Sequence, residues 1–366
     1  MTGMPVNGID HIRFVVGNAR QSAYFYRNAF GFDVIGYAGL ETGMRQESGY
    51  VLRQGNIILV LTSPLRPTHQ FNSRLTMHGD GVADVAFSVS DVEEAYRIAL
   101  RAGAEGVRAP ETIKDAHGSV DMAVVKTYGD TTHTLINRSH YTGLFMPGYQ
   151  PIEPERYSAR RSRETGLRDI DHIVGNVEAG QMNSWISYYE NVMGFESILA
   201  FDKREIHTST TALHSRVVRG ANGSVTLPIN EPASGNRRSQ VDEFLYFYSG
   251  PGVQHIALTT DNIVDTVEVL RENDVSFLPV PDKYYENLEK RVGALSVEIS
   301  DLKRLGIVAD RDSNGCLLQT FTKPVSDRPT VFFEIIQRHG ATTFGQQNFT
   351  ALFEAIEKEQ AARGTL

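Results

Sequence analysis

The chain repeats itself, and no other feature constrains its fold as strongly. Asp10-His11-Ile12 returns as Asp171-His172-Ile173, 161 residues later. Phe25-Tyr26 followed by Gly31-Phe32 returns as Tyr188-Tyr189 followed by Gly194-Phe195, at an offset of 163. A further match is cleaner: the segment from Gly81-Val82 through Val85-Ala86-Phe87 aligns without a gap on Gly252-Val253 through Ile256-Ala257-Leu258, at an offset of 171. The 366 residues therefore read as four similar units in two pairs. A repeated unit of this kind does not close its own core, so the units pair and enclose a cavity.

Local patterning says what each unit contains. Residues 9–16 form a strand candidate, and residues 18–30 carry aromatics and alanines at helical spacing, ending at Gly31. Short strands follow at 50–53 and 56–61, with Gly55 as the turn residue. The next unit reads as a strand over 82–89, a helix over 91–102 stopped by Gly103, and strands at 122–127 and 133–137. Pro147, Pro151 and Pro154, with Arg156, Arg160, Arg161, Arg163 and Arg168, mark an interdomain linker whose charges are read as solvated. A last amphipathic helix over 348–362 carries Phe349, Leu352, Phe353 and Ile356. The expectation is an α+β fold of two domains, 1–145 and 169–366, joined by a linker at 146–168. Each domain is a pair of βαβββ modules forming an open, cupped, barrel-like sheet, and the C-terminal helix covers the second.

Composition narrows the chemistry. With 41% hydrophobic and 22% charged residues, the chain can bury a sizeable core. Its 36 Lys and Arg against 44 Asp and Glu, a net charge of -8, argue against nucleic acid or an anionic membrane as partner and leave a small molecule. Cys316 is the only cysteine, which excludes an internal disulfide and a thiolate metal cluster. No apolar run reaches membrane-spanning length, and residues 1–16 lack a secretory pattern, so a cytoplasmic location is expected.

One carboxylate stands out. In Thr-Val-Phe-Phe-Glu-Ile-Ile-Gln-Arg, residues 330–338, alternation puts Phe332, Glu334 and Ile336 on one face and Val331, Phe333 and Ile335 on the other. Both faces are apolar, and an ionised carboxylate there needs a cationic partner, either an arginine or lysine or a metal ion. The repeat acts as an internal control. His172 matches His11, His255 matches Asp84, and Glu334 falls opposite Thr134, so only the second half keeps three ligand-competent groups. Two imidazoles and a carboxylate on neighbouring strands suit a divalent ion bound on one face with other positions open. That set serves non-haem Fe(II) oxygenases and also zinc hydrolases, and spacing does not choose between them.

Longer motifs carry a resemblance: Asp171-His172-Ile173-Val174-Gly175-Asn176-Val177, Pro228-Ile229-Asn230-Glu231-Pro232, Gly252-Val253-Gln254-His255-Ile256-Ala257-Leu258, residues 317–324, residues 328–334, and Phe344-Gly345 with Asn348-Phe349. Over nearly its whole length the chain resembles the 4-hydroxyphenylpyruvate dioxygenase family of the vicinal-oxygen-chelate (glyoxalase-like) superfamily. The resemblance implies one Fe(II) per chain held by His172, His255 and Glu334. It implies an aromatic 2-oxo acid that chelates the iron, with O2 as co-substrate, and homogentisate as product. Ser215, Pro228, Asn230, Gln240, Gln254 and Gln319 would line the substrate pocket, with Phe321, Phe344 and Phe349 clamping the ring and Phe332 facing the same pocket. A homo-oligomer, dimer or tetramer, is expected. Gln346-Gln347 departs from the family pattern, in which a charged residue and a glycine are common at that turn.

Two alternatives stand beside this. The resemblance extends to 4-hydroxymandelate synthase, which uses the same substrate and metal but hydroxylates the benzylic carbon. The three phenylalanines of the clamp favour the dioxygenase. A non-catalytic binding protein of the same fold is the alternative of another class, and it has no need of three metal ligands.

Overall fold

The computed structural model describes residues 4–152, 163–201, 211–235, 237–345 and 348–366. The first half contains β1 (Gly8–Val15), β2 (Asp33–Ala38), β3 (Glu47–Gln54), β4 (Ile57–Pro64), β5 (Gly81–Ser88), β6 (Gly106–Asp115), β7 (Gly118–Lys126), β8 (Thr132–Asn137) and β9 (Gln150–Pro151). These form one mixed sheet in the order β6-β7-β8-β5-β1-β4-β3-β2-β9. The second half contains β10 (Leu167–Asn176), β11 (Glu196–Phe201), β12 (Leu213–Arg219), β13 (Thr226–Pro232), β14 (Gly252–Thr260), β15 (Val308–Arg311), β16 (Cys316–Phe321) and β17 (Phe332–His339). Their order is β11-β12-β13-β10-β14-β17-β16-β15, and both sheets curl into half-barrels.

The same wiring recurs in each half. β1 runs parallel to β4 and antiparallel to β5, which runs parallel to β8. β10 relates in the same way to β13 and β14, and β14 to β17. The repeat seen in the sequence is thus a repeat of strand pairing.

Helices α1 (Ala19–Phe30), α2 (Gln70–His78) and α3 (Val92–Arg101) serve the first half. The second uses α4 (Met182–Met193), α5 (Gln240–Tyr248), α6 (Ile263–Glu272), the short α7 (Leu288–Val292) and α8 (Ile299–Leu305), and α9 (Phe349–Arg363). Their ends follow local chemistry. Asn18 accepts from the Gln21 amide at 3.1 Å and Asp91 from the Glu94 amide at 2.9 Å, each satisfying an otherwise orphan N–H. Gly31 ends α1 at φ 80°, a conformation that costs glycine least. Periodicity does not announce β6, because it lies at the sheet edge with nearly every residue exposed and so carries no apolar alternation.

The two halves share one continuous core. Phe333 of β17 packs against Phe30 and Tyr26 of α1, with ring centroids 4.9 and 5.9 Å apart. The Tyr189 hydroxyl of α4 meets His133 of β8 at 2.9 Å. Burial lowers the pKa of that histidine to about 4, so it is neutral at physiological pH. Within the segment read as a linker, Gln150–Pro151 pairs with β2, and Thr165 is buried with its hydroxyl donating to the Phe30 carbonyl. Arg163 meets Glu272 at 3.7 Å and Arg168 pairs with Asp261. Pro154, Arg156, Arg160 and Arg161 lie outside the described residues.

Each half also holds an arginine–aspartate–histidine relay. Arg138 donates to Asp10, which meets His11 Nδ1 at 2.6 Å, and Arg338 donates to Asp171, which meets His172 Nδ1 at 2.7 Å. Burial works to raise both carboxyls, but the hydrogen bonds from histidine and arginine win and hold them well below the usual carboxylate range. A depressed carboxylate binds protons more readily unfolded than folded. Stability is therefore full above the ordinary Asp range, near pH 4, and falls as acid is added below it. Denaturant midpoints measured from pH 6 to pH 2 should fall on this limb, and Asp10→Asn should make the fall shallower.

Candidate metal centre

The candidate ligands stand on three neighbouring strands of the second sheet. His172 on β10 is opposite Ala257 of β14, which is opposite Glu334 on β17, and His255 of β14 is opposite Val174. Sheet pairing therefore brings together side chains that lie 83 and 79 residues apart in sequence. Their donor atoms lie within 4.8 Å of one another, and all three residues are buried. His172 Nε2 is 3.2 Å and His255 Nε2 3.5 Å from Glu334 Oε2.

A register shift shapes the site. Pairing steps from Val174–His255 to Gly175–Val253, passing over Gln254. Such a bulge re-aims side chains, and here it lets two consecutive residues reach one place. The Gln254 side-chain oxygen lies 3.0 Å from His255 Nδ1. Asp171 holds His172 Nδ1 in the same manner. With both Nδ1 atoms facing acceptors, each ring turns its Nε2 toward Glu334, and that nitrogen is the one a metal ion would take in place of a proton.

Glu334 forms no ion pair with an arginine or lysine among the described residues. Its Oε1 accepts from Gln319 Nε2 at 3.0 Å, and its Oε2 faces the two imidazoles. Burial pushes its pKa up, but His172 and His255 outweigh this and bring it to about 2. Burial likewise disfavours charge on His172, yet Glu334 and Asp171 lift it to about 9, while burial dominates at His255 and lowers it. This is a buried anion whose ion-pair partners among the described residues are the two imidazoles. A divalent cation at the three donor atoms supplies that compensation directly, so the donor set fits Fe(II).

The other expected site residues divide by position. Phe332 stacks on His255 with centroids 4.8 Å apart, and Phe344 meets His172 edge-on at 5.2 Å. Phe321 lies 6.3 Å from His255 and 6.4 Å from Phe332, packed beneath α9 with Leu278, Ala355 and Ile356. Gln319 reaches Glu334, and Gln240 at the start of α5 lies 3.5 Å from Gln254. Ser215 is opposite Asn230 across β12 and β13, with Pro228 two residues before Asn230 on the same face. The Phe349 side chain and Gln346-Gln347 lie outside the described residues.

The first half shows what the fold alone needs. Arg13 is opposite Asp84 as Val174 is opposite His255. Asp84 stands opposite Thr132 and Phe87 opposite Leu135, so Ala86 faces Thr134 as Ala257 faces Glu334. His11, Asp84 and Thr134 thus occupy the ligand positions, yet the one close group of three ligand-competent side chains among the described residues is His172, His255 and Glu334.

Comparison with known proteins follows the same division. The Glyoxalase/Bleomycin resistance protein/Dioxygenase superfamily matches residues 8–124 and 169–319. The 4-hydroxyphenylpyruvate dioxygenases of Coccidioides posadasii and Dictyostelium discoideum are each 46% identical to this chain, covering 98% and 99% of it and 94% and 100% of themselves. The chain belongs to the 4-hydroxyphenylpyruvate dioxygenase family. Among solved structures, a triple variant of 4-hydroxymandelate synthase from Streptomyces coelicolor is similar with a TM-score of 0.87 and 32% identity, covering 98% of this chain and all of that one.

Several residues of this family member were not singled out as functional from sequence. Asp171 and Arg338 support His172, and Asn348 donates to Gln319 at 3.1 Å while accepting from the Tyr284 hydroxyl at 2.6 Å. The repeat held the signal for the first pair, since Asp10 and Arg138 recur with them. Asn348 stood in a motif of the resemblance without a role, and nothing marked its contact with Tyr284, because that contact joins segments 64 residues apart.

Proposed function

We propose that this protein converts 4-hydroxyphenylpyruvate and O2 into homogentisate and CO2, with one Fe(II) per chain held by His172, His255 and Glu334. The observation that carries the reading is a buried two-histidine, one-carboxylate centre with both Nδ1 atoms tied back, in a chain of this family. Held there by His172, His255 and Glu334, Fe(II) would supply a binding position for O2 and Lewis acidity toward the 2-oxo acid, with the substrate itself, through decarboxylation and ring oxidation, furnishing the electrons that reduce O2.

The remaining work belongs to the chain. The three ligands leave one side of the centre for the carboxylate and keto oxygens of the substrate. Phe332 and Phe344 lie against the two imidazoles, excluding water and flanking the ring. Phe321 and Phe349 complete the clamp. Gln319, held between Glu334 and Asn348, has its amide orientation set before substrate arrives. Ser215, Pro228, Asn230, Gln240 and Gln254 line the remainder and orient the phenol with neutral groups that do not compete for the metal. Both oxygen atoms of O2 enter the product, one in the new carboxylate and one on the ring, as the side chain migrates.

We further propose a cytoplasmic location and a dimer or tetramer; separately, no helix among the described residues is long and apolar enough to cross a membrane. Anaerobic protein loaded with Fe(II) and 4-hydroxyphenylpyruvate, then exposed to O2, should yield homogentisate on chromatography. Hydroxymandelate would assign the synthase reaction. Stoichiometric binding without turnover would assign a non-catalytic binding protein.

A further inference from the structure

The second cup holds a buried polar side chain that the site described above leaves unused. Asn176, the last residue of β10, has 0% exposure, and neither atom of its side-chain amide has a hydrogen-bond partner. Native proteins pair nearly all such groups, and exceptions cluster where function overrides local stability. Alternation along β10 puts His172, Val174 and Asn176 on the cup face, while Ile173 and Val177 join the core behind it. Asn176 pairs in register with Asn230, which pairs with Ser215. The orphan amide therefore lies about 13 Å along the strand from His172. It sits beside a polar pair, on the side of β10 away from β14 and β17.

The repeat shows that the fold does not require an amide there. Asn176 is opposite Asn230 and Gly252, and Val15 of β1 is opposite Thr62 and Gly81 in the same way. Val15 is equally buried. One sheet closes over a valine; the sheet with the metal ligands carries an amide with unmet hydrogen bonds.

We propose that Asn176 is a substrate-binding residue that, together with Asn230, forms a two-amide seat for the ring hydroxyl of the aromatic 2-oxo acid. A phenol both donates and accepts, and an amide offers both complements. The acid end is held at the ligand atoms, and the polar end of the ring completes Asn176. This rests on the dioxygenase reading of the site.

The test is Asn176→Val, which installs the residue type the first half holds at this position. Fe(II)-loaded protein is titrated anaerobically with 4-hydroxyphenylpyruvate and with phenylpyruvate, and thermal unfolding of the metal-free protein is recorded. The variant should keep its iron, unfold at the same or a higher temperature, and bind 4-hydroxyphenylpyruvate about 10-fold more weakly. Its binding of phenylpyruvate should be unchanged. A lower unfolding temperature with unchanged preference between the two acids, or equal weakening of both, overturns the proposal and makes the amide structural. Asn176→Ser, which keeps one hydrogen-bonding atom, is measured in parallel. If the valine variant does not fold, reduced preference in the serine variant supports the proposal and wild-type preference overturns it. Wild-type protein that binds neither acid sinks the dioxygenase reading, and this proposal with it.

Discussion

Glu334→Gln should lose stoichiometric iron and at least about 10^3-fold in turnover, measured as iron per chain after desalting and as homogentisate formed. The supporting residues around a metal typically contribute 10- to 100-fold in affinity or activity, and loss of the only anionic ligand should exceed them. The amide keeps the volume of the carboxylate and an oxygen for Gln319 but removes the charge that binds the cation. The matched control is His11→Ala. His11 occupies the place of His172 in the first sheet, without a second imidazole or a glutamate at the corresponding positions, so this variant should retain one iron per chain. Iron loss from His11→Ala, or its retention in Glu334→Gln, would overturn the assignment of the centre to the second half.

Arg338→Ala should damage both stability and the metal centre. The guanidinium donates to Asp171 at 2.6 and 2.8 Å and to the Thr343 carbonyl at 2.6 Å, and lies 5.6 Å from the Phe344 ring centroid. Its removal takes two charge-assisted hydrogen bonds from a part-buried carboxylate and leaves His172 as its remaining partner, a change of roughly 1.5–3 kcal/mol. Asp171 would no longer fix the His172 tautomer firmly, and iron affinity should fall about 10- to 100-fold. Arg138→Ala separates the two effects. Arg138 pairs with Asp10 in the same geometry and lies 4.3 Å from the Phe145 ring centroid, but no metal ligand depends on it. It should lower the unfolding temperature several degrees without changing iron affinity; equal iron loss in the two variants would mean that the relay acts only through the fold.

Much of the site was legible because function broke a repeat. Glu334 stands out against Thr134, and His255 against Asp84, at positions where strand pairing makes the halves equivalent. A salt-bridged glutamate was the competing expectation, and Glu334 forms no ion pair with an arginine or lysine among the described residues. Gln254 was legible only as a pocket residue. Its contact with His255 Nδ1 depends on a bulge, and a one-residue offset between strands leaves no mark in the periodicity of either.

By itself the sequence determined the repeated strand–helix plan, the apolar alternation of 330–338 and the identity of three groups able to share a divalent ion. These follow from patterns local to each segment. Only the tertiary structure decided which atoms meet: the tied-back Nδ1 atoms, the Gln319–Asn348–Tyr284 chain and the orphan amide of Asn176. Whether a buried amide finds a partner depends on register and packing among strands distant in the chain. Sequence spacing carries no information about a hydrogen bond that is missing.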